Sequence, residues 1–350
     1  MFRSFRSRAP WRLAGAAFVS LALGGCWASD SATVATAALS SEPAAANPAP
    51  FRRSSLERSR LLLVATTRRP ADDPSHAPFF GSERGRGLAF AEARLAGPDR
   101  SFVGRVSSAI NGDWGVAEVA KLESGSGAAQ AFAQAALGRD VLIYVHGYRE
   151  TFQSAAVSAA RLSDGVQFTG ASALFTWPSA NGTFDYGYDR ESALWSRDAF
   201  GDLITALAKS PSGGRIHIVA HSMGTLLTLE TLRMVRASGG EAAMAKIGSV
   251  TLAAPDIDLD LFTGSVERLG LDARKITVIS AKNDRALALS SRLAGGVTRA
   301  GAADRDRLEA LGVRVADASD YGGGLVNHDL FLTNKDVQQV VRRAIERERG

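Results

Sequence analysis

The chain has 350 residues, 45% of them hydrophobic and 22% charged, which suits one large globular domain or two modest ones. It carries 41 basic and 36 acidic residues and one cysteine, Cys26, so no disulfide can form within it. No solenoid-length repeat and no collagen or coiled-coil period is present, which excludes fibrous and repeat architectures.

The first 12 residues hold Arg3, Arg6, Arg8 and Arg12 and no acid. Leu13 to Leu23 is an apolar run of signal-peptide length, too short to span a bilayer as a free helix. It ends in Leu23-Gly24-Gly25-Cys26. Leu-x-small-Cys resembles a bacterial lipobox, in which the cysteine becomes the lipidated first residue of the mature chain. The alternative is an ordinary cleaved signal with an incidental cysteine. Trp27 rather than Asp follows, so no obvious inner-membrane retention signal is present. The expectation is a lipoprotein-type signal over 1–25 and an exported protein held in the cell envelope, on its periplasmic side, through Cys26.

Residues 1–25 contain four arginines and no acid, so without them the net charge falls from +5 to +1, 37 basic against 36 acidic. The basic balance belongs to targeting and gives no support for nucleic-acid binding. Residues 27–50 are rich in Ala, Ser, Thr and Pro and nearly uncharged. Such a composition cannot bury a core, so 26–56 reads as a flexible tether and 57–350 as the folded domain.

"LLLVATT", from Leu61, predicts a strand, and residues 70–87 a loop. "GLAFAEARLA" and "FVGRV" are candidate strands. Ala128–Leu137 predicts a helix, "VLIYV" from Val141 a strand, Thr151–Leu162 a helix, "ALFTW" from Ala173 a strand and Ser192–Ala208 a helix. "RIHIVA" predicts a strand, Thr225–Val235 a helix closed by Gly239-Gly240, and "IGSVTLAAP" and "KITVIS" strands. Asn334–Arg349 is a last helix with Thr333 or Asn334 as its cap. Continuous apolar strands alternating with helices indicate an α/β fold with a mostly parallel sheet covered on both faces. In such sheets ligands bind beyond the carboxyl ends of the strands.

Five strands end in polar residues: His146-Gly147-Tyr148 after "VLIYV", Pro178-Ser179 after "ALFTW", Ser222 after "RIHIVAH", Asp256 after "SVTLAAP" and Asp284 after "KITVISAKN". Ser222 lies in Ala220-x-Ser222-x-Gly224, a weak pattern alone but here set between a buried strand and a helix. That context is a nucleophile elbow, a turn that lifts the hydroxyl clear of the sheet at a helix N-terminus. The residues two before and two after must be small, and Ala220 meets that demand nearly as well as glycine. An incidental serine at a strand–helix junction is the alternative.

A serine hydroxyl needs a base, and the α/β-hydrolase chain order is serine, acid, histidine. Of the five histidines only His328 follows Ser222. His217 and His221 read as packed structural residues. No His, Cys and carboxylate cluster suggests a metal, and no cofactor is expected. For the acid, "VLIYV" as the third strand of the usual hydrolase sheet makes "KITVI" the seventh. That strand is normally followed by the acid, which favours Asp284 over the alternative, Asp256. Asp258 and Asp260 read as helix caps or solvated, and Asp329 as pointing away. The oxyanion donors would be the backbone N–H groups of Met223 and Tyr148.

Together these residues resemble the α/β-hydrolase superfamily, and more closely a bacterial group of esterase/lipase-superfamily proteins of unknown function. The matching segments are "ATTRRP" at 65–70, "VLIYVHGY" at 141–148, "LFTWPSANGTFDYGYDRESA" at 174–193, "HIVAHSMG" at 217–224, "LAAPDIDLDLF" at 252–262, "ISAKNDRALALS" at 279–290 and "NHDLF" at 327–331. The resemblance implies an α/β-hydrolase fold over 60–350 and Ser222, Asp284 and His328 as a triad. Two departures bear on the oxyanion loop or substrate choice. Arg149-Glu150 stands where the group has Asn, and Thr225 follows the elbow glycine where the group has Asn. The aromatic residues Trp177, Phe184, Tyr186, Tyr188 and Trp195 read equally as a wall over the site or as packing on the sheet. The function expected is a serine hydrolase acting on small-molecule carboxyl esters. An acyltransferase with the same triad, or a non-catalytic surface lipoprotein, are the alternatives.

Overall fold

A computed structural model describes residues 59–72, 77–97, 114–121, 128–136, 138–182, 185–210, 214–321 and 328–347. The expected signal, Cys26, the tether, the candidate strand "FVGRV" and Phe184 lie outside the described residues.

Nine strands form one sheet in the order β3-β2-β1-β5-β4-β6-β7-β8-β9. They are β1 Ser59–Pro70, β2 Phe80–Ala96, β3 Gly115–Lys121, β4 Val141–Val145, β5 Ala171–Thr176, β6 Ile216–His221, β7 Ile247–Ala253, β8 Ile276–Ser280 and β9 Arg314–Asp317. Every pairing is parallel except β1 with β2 and β2 with β3. Each of β4 to β8 is buried along its whole length, as expected of strands covered on both faces.

The helices are α1 Ala128–Ala135, α2 Phe152–Gly165, α3 Tyr186–Trp195, α4 Arg197–Lys209, α5 Gly224–Ala237, α6 Glu241–Lys246, α7 Leu259–Leu269, α8 Arg285–Leu293, α9 Arg305–Glu309, α10 Leu330–Thr333 and α11 Lys335–Arg347. Side chains alternate across a strand. Thus Val141, Ile143 and Val145 of β4 join one core with Phe132 of α1, Phe200 of α4, Leu226 of α5 and Phe262 of α7. Leu142 and Tyr144 join the other core with Phe152 of α2, Phe331 of α10 and Val337 of α11. This is an α/β-hydrolase fold, with helices on both faces of a mostly parallel sheet.

Three expectations need correction. Residues 80–86 are not loop: Phe80 pairs with Pro70 and Arg84 with Arg68 across two register shifts in β1. Gly85 allows the close approach, since a Cβ there would lie 2.9 Å from the Arg68 carbonyl oxygen. The helix expected over 192–208 is two, α3 and α4, meeting at Ser196. The Ser196 hydroxyl bonds the Ser192 carbonyl at 2.7 Å and lies 2.8 Å from the Thr67 hydroxyl of β1. Hydroxyls that bond back into the preceding turn bend helices. The strands β3 and β9 were not expected; both lie at sheet edges. Counted along this chain "VLIYV" is β4 and "KITVI" is β8; their third and seventh places are numbers of the usual hydrolase sheet, not of the chain.

Candidate active site

Ser222 has φ +50°. Holding a residue with a Cβ in this region costs roughly 1–2 kcal/mol, and the surrounding hydrogen bonds keep it there. The Ser222 amide donates to the Ala253 carbonyl of β7 at 2.9 Å, and its carbonyl accepts from Thr225 at 3.0 Å and Asp256 at 3.2 Å. The demand for small neighbours is unequal. A Cβ on Gly224 would lie 2.4 Å from the His146 carbonyl oxygen and 2.8 Å from that of Val145, so the position two after the serine requires glycine. Ala220 sits in register with Val145 and Leu252 inside the sheet, where an alanine fits. A Cβ on Gly147 would lie 2.9 Å from the Ser222 Cβ, so the loop after β4 passes directly over the serine. The helix α5 begins two residues later, and its aligned peptide dipoles put a positive helix end there.

Asp284 follows β8 and caps α8. One carboxylate oxygen accepts from the amides of Ala286 at 2.9 Å and Leu287 at 3.2 Å. The other lies 2.7 Å from His328 Nδ1. Facing a carboxylate, Nδ1 carries the proton and donates, which leaves Nε2 as the basic atom. Burial opposes the imidazolium of His328, but the hydrogen bond and charge of Asp284, with the charges of Asp329 and Asp256, outweigh it and raise the pKa above the ordinary histidine value. His221, beside Ser222, packs its ring 4.6 Å from that of His328 and 4.9 Å from that of Phe331. Burial and the neighbouring His328 charge hold His221 well below the usual range, so it is a neutral packing partner. Asp329 is mostly exposed, 3.7 Å from His221.

Asp256 meets other partners. Its carboxylate pairs with Arg299 Nε at 3.1 Å and accepts from the hydroxyls of Ser290 at 2.6 Å and Tyr186 at 3.1 Å. Arg299 also donates to the Tyr186 hydroxyl at 3.2 Å. This buried network lies beneath the elbow, since the Asp256 amide bonds the Ser222 carbonyl. The acid that meets His328 is therefore Asp284. Asp258 caps α7, accepting from the amides of Asp260 and Leu261.

The segment after β4 is held by charged groups that the sequence did not mark as functional. Arg68 of β1 is 1% exposed. It donates to the Thr176 hydroxyl at 2.8 Å, the Gly81 carbonyl at 3.0 Å and the Glu150 carbonyl at 2.6 Å. Burial lowers it to about 10, against the charges of Asp189 and Glu150. Asp189 of α3 accepts from the amides of Ala180 at 2.7 Å and Arg149 at 3.2 Å and from the Ser179 hydroxyl. Arg149 itself has φ +61°. His146 donates from Nδ1 to the Gly147 carbonyl at 2.9 Å and accepts the Trp177 amide at Nε2 at 3.1 Å. Burial and the Arg68 charge keep it neutral. Tyr148 and its neighbours are thus tied to β1, β5 and α3. One signal was available: Arg68 and Asp189 lie in two of the segments that carry the family resemblance.

The aromatic residues divide between the two readings. Trp177 is fully buried and stacks on His146 at 4.7 Å. Tyr186 meets the Tyr148 ring edge-on at 5.4 Å beside the elbow. Tyr188 and Trp195 lie by Arg84 at the surface.

No curated protein matches the sequence. Several solved structures are distantly similar. A cutinase-like protein from Cryptococcus sp. is 17% identical, over 61% of this chain and 96% of that one, with a TM-score of 0.36. The catalytic core domain of acetyl xylan esterase from Trichoderma reesei is 13% identical, over 60% and 98%, with a TM-score of 0.36. EstE1, a thermostable carboxylesterase cloned from a metagenomic library, is 13% identical, over 84% and 89%, with a TM-score of 0.38. Similarity at this level is no guide to substrate. A family model does match, over residues 128–347, which leaves β1 to β3 outside it, and its description is an alpha/beta hydrolase of unknown function (DUF900). The chain belongs to that α/β-hydrolase family.

Proposed function

We propose that the protein is a serine hydrolase that cleaves carboxyl esters through an acyl-enzyme. Ser222 Oγ attacks the carbonyl carbon while His328 Nε2 takes its proton. Asp284 holds the imidazole in the tautomer that leaves Nε2 free to do so and stabilises the imidazolium that forms. The tetrahedral oxyanion is received by the backbone N–H groups of Met223, at the start of α5, and Tyr148, in the loop over the serine. As the intermediate collapses, the carbon–oxygen bond to the alcohol breaks and His328 returns the proton to that oxygen. Water then repeats the cycle, deprotonated by His328, and releases the acid. No cofactor enters.

The observation that carries this reading is the 2.7 Å contact of His328 with Asp284, with the His328 ring 4.6 Å from that of His221, the residue that precedes a serine held at positive φ. A fluorophosphonate probe tests it. Wild type is expected to label and Ser222→Ala not to label. A folded wild type, shown by circular dichroism, that fails to label would overturn the assignment. The proposal extends to location. Residues 1–25 act as a lipoprotein signal, Cys26 carries the lipid, and 26–56 tether the domain to the cell envelope, facing the periplasm. Metabolic incorporation of an alkynyl fatty acid, lost in Cys26→Ala, tests that part.

A further inference from the structure

Among the described residues, none covers the outer face of α8. Its inner residues Leu287 and Ser290 are buried, and Ser290 bonds Asp256. Arg285, Leu289, Arg292 and Leu293 recur at helical spacing on the opposite side. Leu289 and Leu293 are 55% and 54% exposed. Residues 285–303 contain three arginines and no Asp or Glu. Arg299 is buried against Asp256, which leaves Arg285 and Arg292 as the outward charges. Among the described residues neither has an ion pair.

Two leucines flanked by unpaired cations suit the boundary of an anionic bilayer, where the apolar side chains enter the acyl region and the arginines meet headgroups. A second copy would meet this face with the same charges across a two-fold axis, arginine against arginine. We propose that α8 docks on an anionic lipid surface and that the substrate is an acyl ester drawn from it. The inference rests on the ester-hydrolase reading and adds the source of the substrate.

Placement links this face to the site. The carboxylate that caps α8 is the one that meets His328, so the start of the docking helix and the rim of the site are fixed by one residue. A patch this small would hold a free protein weakly. The anchor at Cys26 proposed above would hold the domain near the membrane, and tethering gives local concentrations near the millimolar range, at which weak docking suffices.

Site-resolved hydrogen–deuterium exchange on the mature full chain tests the proposal, because the anchor binds vesicles whatever α8 does. On vesicles of phosphatidylcholine mixed with phosphatidylglycerol, peptides over 285–297 are expected to exchange about tenfold more slowly than in detergent micelles. On phosphatidylcholine alone the protection is expected to be weaker. Leu289→Ser with Leu293→Ser should abolish it and slow turnover of a vesicle-embedded ester about tenfold. Turnover of a short soluble ester and fluorophosphonate labelling should be unchanged. Unaltered exchange on both vesicle types overturns the docking. So does protection that ignores lipid charge and rises with chain density, which would assign the face to a second copy. Protection of α8 without labelling of Ser222 would sink the ester reading and leave the docking in place.

Discussion

Replacing Asp284 with asparagine separates two jobs that its carboxylate does at once. One oxygen accepts from Ala286 and Leu287 at the start of α8, and the other meets His328. Asparagine caps a helix about as well as aspartate, so its amide oxygen is expected to stay on those two N–H groups. The amide nitrogen then takes the place of the second oxygen and faces His328 Nδ1. Two N–H groups cannot face each other, so the imidazole must move its proton to Nε2, the atom required to accept the Ser222 proton. The cost to folding should stay below about 1 kcal/mol. Turnover should fall by about 10³ to 10⁴, or roughly 4–5.5 kcal/mol in the barrier. Asp284→Ala loses the cap as well and should destabilise by about a further 1 kcal/mol.

Asp256→Asn should show the reverse. Its partner Arg299 is 5% exposed, and disrupting a buried ion pair on one side costs on the order of 3–5 kcal/mol. The folded fraction should keep His328 and its acid and turn over substrate within about tenfold of wild type. Steady-state hydrolysis of a p-nitrophenyl ester and thermal melts by circular dichroism, run on both variants, give the comparison. An Asp284→Asn protein within tenfold of wild-type turnover would refute the assignment. An Asp256→Asn protein that stays stable and loses its activity would transfer the role.

The raised pKa of His328 sets two opposite pH trends. The base acts when neutral, so kcat/KM should climb through a midpoint above the ordinary 6.5 or so, while the stability His328 contributes is complete below that value and is lost as pH rises through the folded-state pKa; melts and rates over pH 5.5–9, about the range either side of that value, check both signs. Ser222→Gly should melt higher than Ser222→Ala by about 1 kcal/mol, because glycine adopts φ +50° without strain. Equal melts would mean the elbow stores no strain. Asp189→Ala leaves the amides of Ala180 and Arg149 without their acceptor, at about 1–3 kcal/mol each. It should lower kcat about 10- to 100-fold with KM little changed, if the Tyr148 N–H acts on the transition state; a change confined to KM would contradict that.

The central strands were legible because both their faces are buried. In β4 to β8 every position is buried and most are apolar, and the polar ones, such as His217, Ser249 and Thr251, are buried with them. The edges obeyed a weaker rule. In β2 the stretch from Gly81 to Gly87 is mostly partly exposed or exposed, so its composition reads as loop although its backbone pairs with β1. In β9 two of four residues face water, too short a signal to separate from a turn. The break at Ser196 was hidden for another reason: its cause is a contact with Thr67, 129 residues earlier in the chain.

The site divides along the same physical line. Ser222 and Asp284 follow buried strands and His328 precedes a short helix, so each stands out as a candidate from local pattern and chain order. Choosing Asp284 over Asp256 needed strand counting, since both stand in the same local context. The chemistry of their surroundings separates them. A buried carboxylate has to be compensated, and Asp256 is compensated by Arg299, which leaves no need for a histidine. Asp284 has two amides and the imidazole. The residues that hold the loop over the serine, Arg68 and Asp189, follow no local rule, because each acts on a segment 40 to 82 residues away. What marks them is energetic. An arginine 1% exposed and an aspartate fully buried are stable only where their hydrogen bonds fix something, and here the backbone they fix is the segment that carries Tyr148 past Ser222.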